Sequence, residues 1–336
     1  MAFPLAIVGG RRASDLCDVT SDLGALDSSG FWVVVVPFDG PPVCARFATV
    51  QPAGRVAGRR WPPAGPWRSS LDGDAFAKGV AAIREGIAAG DVYQVNLCRV
   101  LRAPLPAGAD VVTLGAALAA RNPAPHAAVV RLPDHGVHVA SASPELFLRR
   151  SGRQVTSRPI KGTAATANGF LPKDRAENVM IVDLVRNDLG RVCEWGTVEV
   201  PALCSAEPHP GLFHLVSTVT GLLRADVGWP ELLAATFPPG SVTGAPKLAA
   251  LDFIARLEPA SRGVYCGAVG WVDADADVAG GRGELNVAIR TFWFDDGHVH
   301  LGTGGAITWD SDPAGEWDET VLKARRLLDV AAAVPA

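Results

Sequence analysis

The sequence predicts an α/β fold of the α+β type, and three observations support this class. Residues 72–90 carry apolar side chains at the three- and four-residue spacing of an amphipathic helix, which Gly90 ends. Residues 129–132 and 137–140 are short apolar runs on either side of a turn, as in an antiparallel hairpin. The 336 residues are 48% hydrophobic with a net charge of −4, so a large core is expected and no nucleic-acid-binding surface.

The chain is predicted to divide unequally. Residues 1–70 are expected to form a short N-terminal portion that packs on the core, and residues 71–330 the main domain. Within the N-terminal portion, the apolar run 31–36 predicts a buried strand that pairs with residues 43–50 as a hairpin. The Pro- and Gly-rich segment 61–67 predicts a connector.

Cysteine usage indicates reduced thiols. The six cysteines show no C-x-x-C spacing, so neither a disulfide framework nor a zinc site is expected. Residues 1–7 are too short for a signal peptide. The sequence contains no run of about 18 apolar residues, the length that a membrane-spanning helix needs. We therefore expect a cytoplasmic protein.

Glu145 is the first candidate for chemistry. It follows Pro144 at the start of a predicted strand that is otherwise apolar. It is either an edge carboxylate or a desolvated acid that can hold a proton near neutral pH.

In the strand predicted at 93–101, Gln94 and Asn96 share one face and need hydrogen-bond partners, most commonly neighbouring backbone groups.

The middle of the chain places a lysine before two carboxylates. Lys161 is predicted at the end of a strand, where a turn at Gly162 leaves its amine at the mouth of a pocket. Asp174 and Glu177 project from the same face of a helix predicted over 173–189. The apolar stripe of this helix is predicted to be Val179, Val182, Leu184 and Val185. Taken alone, a lysine beside paired carboxylates is most often an ion-pair network.

The last third is predicted to supply further polar groups. His214 lies in a strand predicted at 213–220, and the loop 238–247 opens a helix with Thr243 as its N-cap and free amides that suit an anion. Strands are predicted at 263–272, 284–294 (which carries Arg290) and 298–302, then a Gly-rich turn at 302–306. Asp312 begins the last helix, which places Glu316, Glu319 and Lys323 on one face. On a solvated helix these three would form an ordinary ion-pair face.

In order along residues 72–329, these motifs resemble the chorismate-utilising enzymes. The resemblance is carried by Tyr93-Gln94-Val95-Asn96-Leu97, Ser143-Pro144-Glu145, Pro159-Ile160-Lys161-Gly162-Thr163, Asp174-Arg175-Ala176-Glu177-Asn178, Asp183 to Gly190, His214-Leu215-Val216-Ser217, Gly240 to Lys247, Arg262-Gly263-Val264-Tyr265, Asn286 to Arg290 and Asp318-Glu319-Thr320. One such motif is weak, whereas this ordered series is specific.

The resemblance implies a large two-sheet antiparallel β-sandwich with helices packed outside and the site in a cleft, so that residues 71–330 are the chorismate-binding catalytic domain. It implies Mg²⁺ as cofactor, with Glu177 and Glu319 as ligands and Asp174 and Glu316 as outer or water-mediated ligands. This set suits Mg²⁺, which keeps several waters and takes few carboxylates directly.

The resemblance also assigns the reacting groups and the substrate contacts. Lys161 is implied as the nucleophile and Glu145 as the acid. Lys323 and the metal are implied at the ring carboxylate of chorismate. The other implied contacts are Arg290, Tyr265 and the amides near Gly304 at the enolpyruvyl carboxylate, and Gly162, Thr163, His214 and Ser241 around the ring.

Two positions indicate one branch of this family. The isochorismate and salicylate branches have a lysine in place of Gln94, and the anthranilate branch has an alanine in place of Lys161. Gln94 with Lys161 is the aminodeoxychorismate combination, which implies 4-amino-4-deoxychorismate as the product, for p-aminobenzoate and folate. The ammonia would come from a separate glutamine amidotransferase subunit. The anthranilate branch, another chorismate enzyme of secondary metabolism and a non-catalytic ligand-binding or scaffold subunit are the alternatives.

The sequence departs from the family pattern in two places. Ala306 stands where many relatives have a third glycine, so a positive φ there would strain the backbone. The N-terminal portion lacks the segment that forms a tryptophan pocket in relatives, so feedback inhibition by tryptophan is not expected.

Overall fold

The computed structural model describes residues 2–54, 61–209 and 212–332. Its strands are β1 Leu5–Val8, β2 Arg11–Thr20, β3 Phe31–Val36, β4 Val43–Pro52, β5 Arg68–Ser69, β6 Gln94–Pro104, β7 His126–Leu132, β8 Val137–Ser143, β9 Leu146–Ser151, β10 Gln154–Arg158, β11 Ile160–Ala164, β12 Glu199–His209, β13 Leu212–Leu222, β14 Gly244–Ala245, β15 Ala268–Asp273, β16 Arg282–Val287, β17 Thr291–Asp295 and β18 His298–Ile307. Its α-helices are α1 Gly73–Ala89, α2 Val111–Arg121, α3 Pro172–Gly190, α4 Trp229–Thr236, α5 Lys247–Leu257 and α6 Pro313–Ala331.

The strands form a connected antiparallel network with two arms that meet at β4. One arm runs β3, β15, β16, β9, β10, β13, β12. The other runs β2, β1, β7, β8, β17, β18, β6. Both arms contribute to one apolar core, for example through Val34 and Val269 of the first and Val130 of the second. The predicted class of helices on antiparallel sheets is confirmed.

The helices cover the outside of this network, and their ends follow local signals. α2 packs on β7 and β8, α3 on β13 and β11, α5 on β6, and α6 on β18. In α1 the Asp72 side chain accepts a 2.8 Å hydrogen bond from the Ala75 N–H, and Gly90 ends the helix with φ of +82°. This helix is confirmed as predicted. None of the helices in the described ranges is long and apolar enough to cross a membrane.

The N-terminal portion shares its strands with the rest of the molecule. β3 and β4 pair as the predicted hairpin, with Phe31 opposite Phe47. β3 also pairs with β15, and β1 with β7. The hairpin of β7 and β8 is confirmed as well. All six cysteines are free thiols, as predicted.

Two predictions near the site are wrong. The strand predicted at 284–294 is two strands, because the chain breaks after β16 and Arg290 takes a positive φ of +52°. The Gly-rich turn predicted at 302–306 is absent, since these residues continue β18 and pair with β6. The glycines there provide space rather than a turn: a Cβ on Gly302 would lie 2.0 Å from the Tyr265 ring. Ala306 pairs with Asn96 in the extended ladder and its φ is not positive, so the expected strain does not arise.

Several element details also differ from the prediction. In α3, Val179 is 41% exposed, and Ile181, Val182 and Leu189 form the buried side. α5 begins at Lys247 with Pro246 as its cap, so Thr243 is not the N-cap. The strand predicted to start at residue 263 starts at Ala268.

Candidate active site

Glu145 lies in the short break between β8 and β9 and is only 3% exposed. The break is held from both sides: the Glu145 N–H donates to the Ser143 hydroxyl at 3.2 Å, and the Glu145 carbonyl accepts from the Val287 N–H at 3.1 Å. Burial raises the pKa of the Glu145 carboxyl to about 7, although hydrogen bonds from the Ser241 hydroxyl and the Ile160 N–H favour the charged form. Of the two sequence interpretations, the burial of Glu145 and its raised pKa favour the desolvated acid over the edge carboxylate.

Lys161 lies inside β11, not at its end, because the strand continues to Ala164. Its pairing with β13 is shifted between Ile160 and Thr163, which marks a bulge at Lys161 and Gly162. Gly162 has φ of +80°, and a Cβ on it would lie 2.8 Å from the Cβ of Asp174. This position needs glycine so that β11 can lie against the first turn of α3.

The Lys161 amine is set in a partly buried environment with mixed charges. It donates a 3.1 Å hydrogen bond to the Ser241 carbonyl. Burial lowers the pKa of the amine and the Lys323 charge lowers it further, while Glu177 and Glu145 oppose the shift. Burial therefore outweighs the acids, and the neutral, nucleophilic form of the amine is favoured relative to a lysine in water.

Ser241 connects the lysine to the acid. Its carbonyl accepts from both the Lys161 amine and the Asn96 Nδ2, the latter at 3.0 Å. Its hydroxyl bonds the Glu145 carboxyl. Asn96 in turn accepts a 3.3 Å hydrogen bond from the Gln94 Nε2. The expectation that a buried Asn in this strand bonds a backbone group is confirmed.

A buried ion pair holds the loop that carries Ser241, and this pair was not predicted. The Lys247 amine donates to the Asp188 carboxylate at 2.6 Å and to the Thr236 carbonyl at 2.9 Å. Asp188 lies in the last turn of α3 and Lys247 begins α5, so the pair ties the loop before α5 to the end of α3. The helix periodicity of residues 173–189 was a usable signal, because it places Asp188 on the buried side with Ile181 and Leu189.

Four carboxylates from two helices interact with one another, and two of them, Glu177 and Glu319, also act on the Lys161 amine. On α3, the Asp174 side chain accepts from the Leu171 N–H at 2.8 Å and caps the helix, whereas Glu177 makes no ion pair in the described part of the chain. On α6, Glu316 accepts from the Ser311 hydroxyl at 2.6 Å, and Glu319 pairs with Lys323 at 2.6 Å. Asp174 and Glu316 therefore each already accept a hydrogen bond from the protein, and Glu319 is already in an ion pair. Among the four carboxylates, Glu177 has the fewest such interactions in the described part of the chain.

The electrostatics of these groups fit a divalent cation. Burial raises the pKa of Glu177, and the neighbouring Glu316 and Asp174 charges add to it. Burial likewise raises the pKa of Glu316, with Glu319 adding to the effect. Carboxylates that repel one another in a partly buried site are stabilised by a bound cation. Within the described ranges, no three His, Cys, Asp or Glu side chains are arranged so that they could hold a metal ion by themselves.

Four residues predicted to contact the substrate make contacts within the protein around this cluster. The Lys323 amine, besides pairing with Glu319, donates a 3.0 Å hydrogen bond to the Gly304 carbonyl. The Thr163 hydroxyl and the His214 Nδ1 lie 3.0 Å apart across β11 and β13. Lys323, Gly304, Thr163 and His214 are thus each held in place by a defined contact.

Arg290 and Tyr265 stand apart from these contacts. Burial lowers the pKa of the Arg290 guanidinium and the Arg326 charge adds to it, and Arg290 has no ion pair within residues 2–54, 61–209 and 212–332. Tyr265 is buried against Gly302 and its hydroxyl bonds the Cys98 thiol. Their predicted place at one substrate carboxylate stays a prediction.

Comparison with known proteins identifies the family to which this chain belongs. The sequence profile of the family described as chorismate binding enzyme matches residues 46–329. Anthranilate synthase component 1 of Streptomyces coelicolor is 43% identical over 274 residues, covering 78% of this chain and 52% of that protein. Aminodeoxychorismate synthase component 1 of Klebsiella aerogenes is 40% identical over 276 residues, covering 78% of this chain and 59% of that protein. The chain thus spans little more than half the length of these relatives.

A solved structure supports the fold. The menaquinone-specific isochorismate synthase from Escherichia coli superposes with a TM-score of 0.80 and covers 98% of this chain and 89% of its own. The identity between the two is 18%, so this likeness bears on the fold alone.

Proposed function

Because the chain belongs to the chorismate binding enzymes, we propose that it is the chorismate-aminating component of an aminodeoxychorismate synthase. In this proposal it converts chorismate and ammonia to 4-amino-4-deoxychorismate, for p-aminobenzoate and folate synthesis. The observation that carries the proposal is the pair of Lys161 and Glu145, an amine and an acid of raised pKa joined through Ser241.

The proposed site binds chorismate by its two carboxylates. When bound, Mg²⁺ supplies positive charge for the ring carboxylate, with Glu177 and Glu319 as its ligands. Lys323 donates to the same carboxylate. The Arg290 guanidinium, which no described carboxylate occupies, binds the enolpyruvyl carboxylate, because its planar fork can donate two parallel hydrogen bonds.

The proposed reaction is a pair of allylic displacements. The neutral Lys161 amine attacks C2 of chorismate, the two conjugated ring double bonds shift, and the C4 hydroxyl takes the Glu145 proton and leaves as water. Ammonia then adds at C4, the two double bonds shift back, and the Lys161 amine is expelled from C2. The extra proton of the new ammonium group returns to Glu145, which restores the acid.

In this proposed order of steps, the bond between Lys161 and C2 accounts for the entry of nitrogen at C4. A lysine acting only as a base would leave C2 open to attack. A lysine bonded to C2 blocks that carbon and directs ammonia to C4.

Anthranilate formation is the second candidate, because the 43% identical relative carries that name. That reaction needs nitrogen at C2, the carbon that Lys161 occupies in the proposed mechanism. Product identification from chorismate, ammonia and Mg²⁺ by chromatography and mass spectrometry separates the two. We expect 4-amino-4-deoxychorismate; anthranilate as the main product would refute the proposal.

The first prediction concerns the metal. Glu319→Gln is expected to weaken Mg²⁺ binding and activity together, because one of two direct ligands loses its charge. The fold should persist, since Glu319 is about half exposed. Titration calorimetry with Mg²⁺ and a thermal melt measure the two effects, and Asp318→Asn, on the same helix, is the charge-matched control. Unchanged Mg²⁺ affinity in Glu319→Gln would remove α6 from the proposed metal site.

The second prediction concerns the nitrogen source. Relatives named component 1 indicate a partner component, and we propose a separate glutamine amidotransferase. Four of the six cysteines are buried and are therefore poorly placed to act as the nucleophile of a glutaminase. Product formation should therefore need free ammonia, and glutamine alone should give none. Glutamine-dependent turnover by the purified chain would contradict this.

A further inference from the structure

A small cavity of about 20 Å³ lies beside Glu145. Its wall is formed mainly by β9, the end of β10, the last two turns of α3 and the loop between α4 and β14. Of the described residues that line it, Val185 of α3 is half buried and all the others are buried. The most direct route from the cavity to solvent therefore passes Val185.

This cavity is separate from the cleft that holds the other groups of the proposed site. Among the residues assigned to chorismate and its chemistry, Glu145 and Ser241 line the cavity. Within the described part of the chain, Lys161, Arg290 and Lys323 are not among its lining residues. Glu145 and Ser241 thus border both spaces.

The size and the lining of the cavity suit one small, neutral, polar molecule. About 10–15 Å³ is enough to hold one water, provided that polar groups are within reach. Ser157 lines the cavity and is 4% exposed, and its hydroxyl makes no hydrogen bond among the described residues. Asp188 also lines the cavity, but the Lys247 amine neutralises its carboxylate at 2.6 Å. A neutral molecule is therefore favoured over a cation, whose charge would be buried without a partner.

The proposed reaction requires two such molecules to pass Glu145. When the C4–O bond breaks, the hydroxyl takes the Glu145 proton and leaves as water. When the C4–N bond forms, the new ammonium group returns a proton to Glu145. Both molecules are therefore on the Glu145 side of C4, and between these steps the ring stays bonded to Lys161. A site beside Glu145 lets ammonia replace water without release of the ring.

We propose that this cavity binds unprotonated ammonia and delivers it to C4 past Glu145, with Val185 at its entrance. The inference rests on the proposed function, which supplies the ammonia-dependent step. Ammonia is close in size to water, and it can form a hydrogen bond with the Ser157 hydroxyl. The water released from C4 leaves through the same cavity before ammonia enters.

Val185→Phe is expected to obstruct the entrance and to slow only the second half of the reaction. The kcat/KM for unprotonated ammonia should fall at least about tenfold. Formation of the bond between Lys161 and C2, followed by mass spectrometry in the absence of ammonia, should stay within about twofold of the parental rate. The control is Val179→Phe, the same change at a 41% exposed position of α3 that does not line the cavity. It should leave both rates unchanged.

Val185→Ala tests the cavity in the opposite direction, by enlarging it. Methylamine carries one methyl group more than ammonia, so the parent should prefer ammonia by roughly 10- to 200-fold in kcat/KM. In Val185→Ala this preference should fall at least about fivefold, with methylamine incorporated at C4. Mass spectrometry of the products from mixtures of the two amines measures the preference.

The proposal requires both results. An unchanged kcat/KM for ammonia in Val185→Phe, or an equal loss in the bond-forming step without ammonia, would overturn it, and so would an unchanged amine preference in Val185→Ala. If Val185→Phe does not fold, the amine preference of Val185→Ala decides alone. These outcomes leave the proposed function in place, whereas a parent protein that forms neither a Lys161 adduct nor a C4-aminated product from chorismate refutes that function and the role of the cavity with it.

Discussion

Lys161→Ala is expected to lose C4 amination by about 10³-fold or more, the scale seen when an enzyme loses its nucleophile. The variant keeps Glu145 and the carboxylates, so chorismate should still bind. Without an amine at C2, that carbon is open, and the residual product is expected to include nitrogen at C2. Initial rates with separate quantification of the C4 and C2 amination products measure both effects.

The control for this variant is Lys78→Ala, which removes an exposed lysine on α1 that takes no part in the site. It should retain parental rates and a single product. A loss of rate alone does not identify a nucleophile, because removing any buried lysine near three glutamates could disturb the site. Normal C4 amination by Lys161→Ala would leave the lysine with an electrostatic role only.

Glu145→Gln is expected to lower kcat by roughly 10²–10⁴-fold, the range typical of a lost general acid. The pKa of the Glu145 carboxyl is raised to about 7 by burial. Its protonated form is therefore present below pH 7 and is lost as the pH rises through this value. At a fixed concentration of unprotonated ammonia, the parental kcat should fall on the alkaline side with a midpoint near 7.

The kcat of Glu145→Gln should not decrease as the pH rises through 7, because glutamine does not titrate. Glu85→Gln, at an exposed position of α1, should keep the parental profile. A Glu145→Gln profile that falls at the same pH as the parental one would assign the titration to another group and remove Glu145 from the acid role.

Elements with strong local signals could be predicted from the sequence. The bounds of α1 follow from the Asp72 cap and Gly90, and the hairpin of β7 and β8 follows from two short apolar runs around a turn. These signals act within a few residues. They therefore do not depend on how distant strands align.

Predictions failed where the rest of the fold decides the local structure. The glycines at 302–306 indicate a turn when read alone, but Gly302 is needed because the Tyr265 ring occupies the space of its side chain. The break that gives Arg290 a positive φ has no glycine to signal it. Both outcomes depend on side chains that lie far apart in the sequence.

In the candidate site, too, local features could be inferred from the sequence and contacts between distant residues could not. The apolar surroundings of Glu145 in the sequence suggested a desolvated acid as one of two interpretations, and burial raises its pKa. The role of Ser241 as the link between Lys161 and Glu145 could not be inferred, because it depends on how the loop before α5 lies against β11. The Lys247–Asp188 ion pair that fixes this loop joins residues 59 apart in the chain.

The most direct test of the central claim is mass spectrometry of the protein incubated with chorismate and Mg²⁺ in the absence of ammonia. The first displacement can then occur and the second cannot, so the lysine should remain bonded to the ring. We predict a mass increase equal to chorismate less one water, on the peptide that contains Lys161 and absent from Lys161→Ala. An unmodified Lys161 peptide from protein that aminates chorismate at C4 when ammonia is added would contradict the nucleophilic role of Lys161.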